Sequence, residues 1–298
     1  MKLVFPPESI THLHLLSVLV TEIARNNLTH VPVPVRVRIL DAGCGNGHFS
    51  SFMHLNLAAL FPEVKFEIYG YDVADHGVQA KDFFSKTLAW CEQQCPSVRW
   101  EERLKLIAHD QSWPFESNFF DFVISNQVLE HVGNHGHFFS EHSRVLKKGG
   151  CGAHLFPLKH YVYEGHLLIP FVHRITDWHL LKTYIKFMSQ IGLGKYQKGK
   201  VSLDEFSERH ADYMTFYTNY LTYSELMAVV KKAQLRPSLK YTADFYWHKL
   251  RQVFKREALI DLGQYKRSGI LYSLVNHSLK YVSSITLFVE KENIYGRL

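Results

Sequence analysis

Between residues 35 and 158, short apolar runs alternate with amphipathic ones across brief polar turns, and few folds can be built from that rhythm. Val35–Leu40 (VRVRIL), Lys65–Tyr71 (KFEIYGY), Leu104–Ala108, Phe119–Ser125 (FFDFVIS) and Cys151–Pro157 read as strands. Phe49–Leu60, Val78–Gln94 and His137–Leu146 read as the helices between them. Strands alternating with helices imply parallel pairing through crossover helices, an α/β doubly wound sheet. Ligands of such sheets gather outside the C-terminal ends of the strands. The segments to inspect are therefore 41–47, 72–74, 109–111, 125–132 and 157–165.

Outside that stretch the rhythm changes. Ser9–Asn26 has helical apolar spacing, with Ser9 placed as an N-cap after two prolines. Residues 159–221 look helical and are rich in Tyr, Phe, His and Lys. Tyr223–Ala233 reads as a helix, Lys240–Trp247 as a strand, Lys249–Ser278 as mostly helical and Ser284–Glu290 as a last strand. The expected architecture has seven strands, with helical insertions after the fifth strand and between the last two. The expected organisation is an N-terminal helical segment (1–30), a ligand-binding core (31–158) and a helical lid over the substrate (159–221). Residues 222–298 would complete the sheet and carry a second helical insertion over about 249–280.

Composition narrows the class. The chain has 298 residues and is 46% hydrophobic, enough for a sizeable core. No apolar run approaches the ~18 residues of a membrane span. The first 20 residues are broken by Pro6, Pro7, His12 and His14 and carry no small-residue cleavage site, so no signal peptide is expected. Cys44, Cys91, Cys95 and Cys151 make no paired framework, which suits a reduced, cytoplasmic protein. Residues 1–150 hold 13 basic and 16 acidic side chains, a net of −3, whereas residues 151–298 hold 21 and 12, a net of +9. A basic second half suggests that it meets something anionic.

The motif that carries most chemistry is Asp41-Ala-Gly43-Cys-Gly45-Asn-Gly47, set between a strand and a helix. Alternate glycines let backbone turn sharply and approach a ligand. Here a carboxylate ends the strand before the loop and a second, Asp72, ends the next strand. Further along lie His109-Asp110-Gln111, Leu129-Glu130-His131 within Phe119–Val132, and Arg144-Val-Leu-Lys-Lys-Gly-Gly150.

Taken in order, these segments resemble class I S-adenosylmethionine-dependent methyltransferases of Rossmann-like fold, in particular the small-molecule members of the type 11/12 kind. The resemblance covers about residues 36–158, with Lys148 where proline is usual. It implies S-adenosylmethionine as cofactor, with Gly43, Gly45 and Gly47 against its methionine part and Asp41 near its ammonium. It also implies Asp72 and neighbouring Val73 at the ribose, Asp110 and Gln111 at the adenine edge, and Asn126 or Gln127 at the methionyl end.

For the acceptor, a hydroxyl nucleophile attacking in line needs a general base, commonly histidine. His131 lies just past the fourth strand. The stretch from His160 to Arg174 leaves the fifth strand's end and gathers His160, Tyr161, Tyr163, Glu164, His166, His173 and Arg174. His166 with Glu164 as orienting carboxylate is the favoured base, with His160 and His131 as alternatives. Tyr161, Tyr163, His173 and Arg174 are the expected substrate contacts, Arg174 as counter-ion to an anionic group. The aromatic series Tyr213, Phe216, Tyr217, Tyr220 and Tyr223 has helical spacing and reads as core packing or lid closure, or as direct stacking on the substrate. His131, His135 and His137 match no standard metal spacing, and no metal is expected. The expected activity is methyl transfer to a hydroxyl of a small anionic metabolite such as a sugar or nucleotide-sugar. RNA methylation, or N-methylation of an amino sugar or amine, is the alternative.

Overall fold

A computed structural model describes residues 3–25, 35–74, 82–256, 260 and 269–292. Its strands are β1 (Val35–Ala42), β2 (Val64–Val73), β3 (Leu104–Ile107), β4 (Phe120–Asn126), β5 (Leu146–Pro157), β6 (Leu235–Ser238) and β7 (Ser284–Lys291). They form one seven-stranded sheet in the order β3-β2-β1-β4-β5-β7-β6. The β1–β5 strands are parallel, while β7 runs antiparallel between β5 and β6. Strand order reverses between β1 and β4, which opens a crevice at their C-terminal ends.

Consecutive residues of the central strands feed two separate cores because side chains alternate across a sheet. Ile39, Phe122 and Phe288 face one core, and Leu40, Val123 and Leu287 the other. On the first face lie α1 (Ile10–Arg25), α2 (His48–Leu60), α3 (Phe83–Gln94), α4 (Trp100–Arg103) and α9 (Thr242–Val253). On the second lie α5 (His135–Val145) and α8 (Tyr223–Lys232). The N-terminal helix α1 packs into the main core: Leu15, Leu16 and Ile23 are fully buried, and His14 Nε2 lies 2.7 Å from the Thr286 hydroxyl of β7.

Residues after β5 build a cover with its own small core. It contains α6 (Trp178–Gln190) and α7 (Leu203–Phe216), which close around Leu167, Ile169, Leu181, Ile185, Phe206 and Ala211. A last helix, α10 (Ile270–Ser278), precedes β7. Among the described residues no helix is long and apolar enough to cross a membrane.

Two sequence expectations are corrected. Lys240–Trp247 belongs largely to α9, not to a strand. Its aromatic content suggests β structure, yet Tyr241, Thr242, Phe245 and His248 are the buried positions, at i, i+1, i+4 and i+7, which is helical spacing. The sixth strand lies just before it, with Pro237 tolerated because β6 is an edge strand. The aromatic series from Tyr213 to Tyr223 is not one helix: α7 ends at Phe216, Tyr220 lies in the following loop and Tyr223 starts α8. Of the expected helix 78–94, α3 supplies the part from Phe83; residues 75–81 lie outside the described residues, as do 257–259 and 261–268 of the expected 249–278 helix.

Candidate active site

The turn after β1 is shaped by its glycines. Gly43, Gly45 and Gly47 all have positive φ (81°, 51° and 76°). A Cβ on Gly43 would lie 2.6 Å from Val128 Cγ2, and one on Gly47 would strike the Cys91 sulfur. Gly43 and Cys44 donate their N–H groups to the Tyr71 carbonyl, at 2.9 and 3.0 Å. Asp72 closes the turn from the neighbouring strand. Its Oδ2 accepts from the Gly45 N–H (2.6 Å) and its Oδ1 from the Val73 N–H (2.8 Å). Asp41 sits beneath the loop and accepts from the Ser50 hydroxyl at 2.6 Å. Burial pushes its carboxyl up to about 7; the Ser50 bond opposes this and the Asp72 charge adds to it.

In front of this loop is an open cleft. Gly43, Asp72, Val73, Asp110, Gln111 and His131 line it among the residues named from the sequence. Asp110 is in a turn with φ 56°, and the Gln111 side chain folds back to accept the Ala108 N–H at 2.9 Å. Gly45, Gly47 and Asp41 stand behind the lining. Asn126 and Gln127 are not part of the lining: Gln127 Nε2 donates to the Leu155 carbonyl and the Ser284 hydroxyl, 3.4 and 3.2 Å away. Sequence reasoning did not name Tyr71, Trp113, Val128 and Phe138, which supply the flat and apolar walls. Tyr71 and Trp113 have ring centroids 4.7 Å apart, and Phe138 meets Trp113 edge-on at 5.2 Å. The signal for Trp113 was its position two residues beyond Gln111 in a segment that already faced the site.

This arrangement fits an adenosyl cofactor. Aromatic and aliphatic walls suit a purine, the Asp72 carboxylate suits paired hydroxyls, and the glycine loop admits backbone contact where side chains would collide.

Above the cleft, the cover brings together a second group. Glu164 is fully buried, and its Oε1 is 2.5 Å from His166 Nδ1 and 2.7 Å from the Tyr220 hydroxyl. Its Oε2 accepts the Leu167 N–H at 2.7 Å. Burial alone would raise this carboxyl, but the His166, Leu167 and Tyr220 contacts outweigh it and hold it at about 2. The His166 ring meets His131 edge-on at 5.1 Å and Tyr213 at 5.3 Å. His131 is thus shared: it lines the cleft and touches the cover. Its Nδ1 is 2.7 Å from the Tyr217 carbonyl, a bond that only an Nδ1–H can make.

Other sequence candidates hold structure instead. His160 Nε2 accepts the Tyr223 N–H (2.9 Å), so that nitrogen is committed to a backbone bond. The Arg174 guanidinium donates to the carbonyls of Lys159, His160 and Tyr161 and lies over the Phe171 ring. His173 donates to the Lys159 carbonyl and packs on Tyr161 and Tyr220; burial pushes it down to about 4. Tyr161 is buried within 3.4 Å of Glu164, whereas Tyr163 is exposed and bridges to Pro170. His135 and His137 point at the Leu129 and Gln111 carbonyls, each apart from His131.

One residue of this cluster was quoted in the sequence but given no role. Glu130 is buried, and both of its carboxyl oxygens lack a hydrogen-bonding partner. Burial pushes its carboxyl up to about 8, with its own backbone amide opposing and Glu164 adding to the rise.

The doubly wound sheet, the glycine loop and the two strand-end carboxylates define a class: a methyltransferase that uses S-adenosylmethionine. A family model of the methyltransferase domain matches residues 14–196, and the chain belongs to that family. It is similar to malonyl-[acyl-carrier protein] O-methyltransferase of Legionella pneumophila, 35% identical over 115 residues, which is 38% of this chain and 34% of that protein. The matched stretch thus spans about a third of that relative's length. Among solved structures it is similar to an S-adenosylmethionine-dependent methyltransferase from Mesorhizobium loti (12% identity, TM-score 0.45, 90% and 97% of the two chains). Another is geranyl diphosphate C-methyltransferase from Streptomyces coelicolor A3(2) (13% identity, TM-score 0.44, 91% and 74%).

Proposed function

We propose that the protein methylates a hydroxyl group of a small molecule, with His166 as general base and Glu164 as the carboxylate that orients it. The observation that carries this reading is the 2.5 Å contact between Glu164 and His166, in ring contact with a residue of the cofactor cleft. When bound, S-adenosylmethionine supplies a methyl group already activated on a sulfonium. The chain must then align the acceptor, exclude water and take up one proton. Glu164 accepts from Nδ1–H of His166, so the neutral ring presents Nε2 as a proton acceptor. His131 positions that ring against the cleft. Gly43, Asp72, Val73, Asp110 and Gln111 hold the cofactor, and the cover's aromatic side chains keep water from the acceptor. Arg174, exposed beside the cover's first turn and paired with no acid among the described residues, would meet an anionic group if the acceptor carries one.

An amine acceptor is the second reading, favoured by Glu130. Glu130, buried near Glu164 and with both carboxyl oxygens lacking a partner among the described residues, would accept the N–H groups of a neutral amine whose lone pair attacks the methyl group. Incubating the protein with methyl-labelled S-adenosylmethionine and a fractionated extract of the source organism tests both readings. Label in a small-molecule fraction, as an O-methyl group by mass spectrometry, is the expected result, and an N-methyl product would select the second reading. RNase-sensitive label in the macromolecular fraction would overturn both. The His166→Ala variant should lose roughly 10²–10⁴-fold in turnover while keeping cofactor affinity.

A further inference from the structure

The cleft and the Glu164–His166 pair use the inner side of the cover, and the outer side of α6 is left without a role. Leu181 and Ile185 turn inward and pack with Leu167 and Ile169. Lys182 and Lys186 lean across to α7, where Lys182 meets Asp204 and Glu208 (3.1 and 2.8 Å) and Lys186 meets Asp204 (3.0 Å). What remains faces outward and is apolar. Leu180, Phe187 and Ile191 are 59%, 54% and 58% exposed. Tyr184 is half-buried, its hydroxyl donating to the Pro170 carbonyl at 2.9 Å.

These residues follow one another at steps of four, three and four, the rhythm of a heptad stripe. At 3.6 residues per turn they fall within about 60° of one another around the helix. A stripe of this kind takes another helix as its partner. Thr183 and Gln190 border it, and no charged residue lies on it. The stripe also reads the same from either end: aliphatic, aromatic, aromatic, aliphatic. Its midpoint falls between Ile185 and Lys186. An antiparallel two-fold pairing about that point sets Leu180 against Ile191 of the second copy and Tyr184 against Phe187 of the second copy, each pair occurring twice.

We propose that the protein forms a two-fold dimer through its cover, with α6 lying antiparallel against α6 of a second copy. The symmetry of the stripe selects this occupant, because an isologous contact requires a surface that complements itself. Charge agrees with it. The cations of α6 are met by Asp204 and Glu208 within each copy, so pairing sets no uncompensated like charges together. A lipid surface is served less well, since the stripe itself offers headgroup phosphates no cation. The contact is also continuous with the site. The inner side of the same helix packs on Leu167 and Ile169, so α6 stands between the second copy and the segment that carries Glu164 and His166. One helix on each side makes a small interface, and association in roughly the micromolar range is expected.

Sedimentation velocity of the full chain over a dilution series tests this. The expected result is twice the mass of one chain at high concentration, falling to that of a single chain on dilution. Leu180→Glu and Ile191→Lys should each weaken association roughly tenfold or more, with thermal unfolding and S-adenosylmethionine affinity unchanged. Leu180→Glu/Ile191→Lys in one chain should restore the dimer. The antiparallel register sets each new acid against a new base of the other copy, while the two sites lie about 16 Å apart on one helix and do not meet within a copy. A wild type that stays monomeric at high concentration would overturn the proposal, including one that instead pellets with lipid vesicles. A dimer that neither single substitution weakens would overturn it by placing the contact elsewhere. Weakening by both substitutions without restoration by the pair would overturn the antiparallel register on which the proposal rests.

Discussion

At the scale of single residues, two buried glutamates from separate segments, Glu130 and Glu164, end in opposite protonation states, and that contrast is what an acid–base site requires. Glu164, held near 2 by contacts that outweigh burial, adds stability above its unfolded value of 4.5 that is lost as pH falls toward 2. Glu130 behaves in the opposite sense. The folded chain keeps its proton up to about 8 whereas the unfolded chain releases it above 4.5, so stability falls as pH rises through that window. Glu130→Gln should remove this dependence, with a ceiling of roughly 5 kcal/mol at the alkaline end, read from urea unfolding at a series of pH values. An unchanged slope would show that Glu130 does not hold the proton. Glu164→Gln should lower turnover by at least roughly 10²-fold and flatten the acid limb of the pH–rate profile, while calorimetry shows unchanged cofactor binding. The glycine loop, Asp72 and the pairing of Glu164 with His166 were legible in the sequence because each is local in the chain. The partners Tyr220 and Tyr217 were not, since they reach the site from beyond two helices. The unsatisfied state of Glu130 was not legible either, because it depends on burial from several elements at once.

Among elements, the β1–α2 turn is the most constrained. Gly43 combines a positive φ with a neighbour, Val128, that leaves no room for a Cβ. Gly43→Ala should lower cofactor affinity at least tenfold and destabilise the chain by about 1–3 kcal/mol, measured by calorimetry and by denaturation. Adding Val128→Ala should restore only part of the loss, because it relieves the collision but not the backbone. The strands up to β5 were readable because buried parallel strands are short apolar runs bounded by turns. Further on, the same signs misled. Aromatic residues in α9 resembled a strand, while β6 is short, carries Pro237 and gains its identity only from pairing with β7.

At the scale of the whole molecule, the cover and the cleft are joined along a seam that carries few contacts but specific ones. Asn219 lies in the loop between α7 and α8. Its side chain donates to the Val132 and Gly133 carbonyls (3.0 and 3.1 Å), and its own N–H donates to the Glu130 carbonyl (2.6 Å). Asn219→Ala should therefore weaken cofactor affinity by roughly 5–30-fold, as two hydrogen bonds to the cleft wall are lost, and calorimetry would read this. No change would mean that the cover does not shape the cleft. Another stitch in this seam is the bond from His131 to the Tyr217 carbonyl. The imidazole belongs to the sheet and the carbonyl to the cover, so the placement of a proton in the cofactor cleft is written by a segment that folds over it. The cover is then more than a barrier to solvent: it decides which nitrogen of the His131 ring, beside the cofactor cleft, carries the proton.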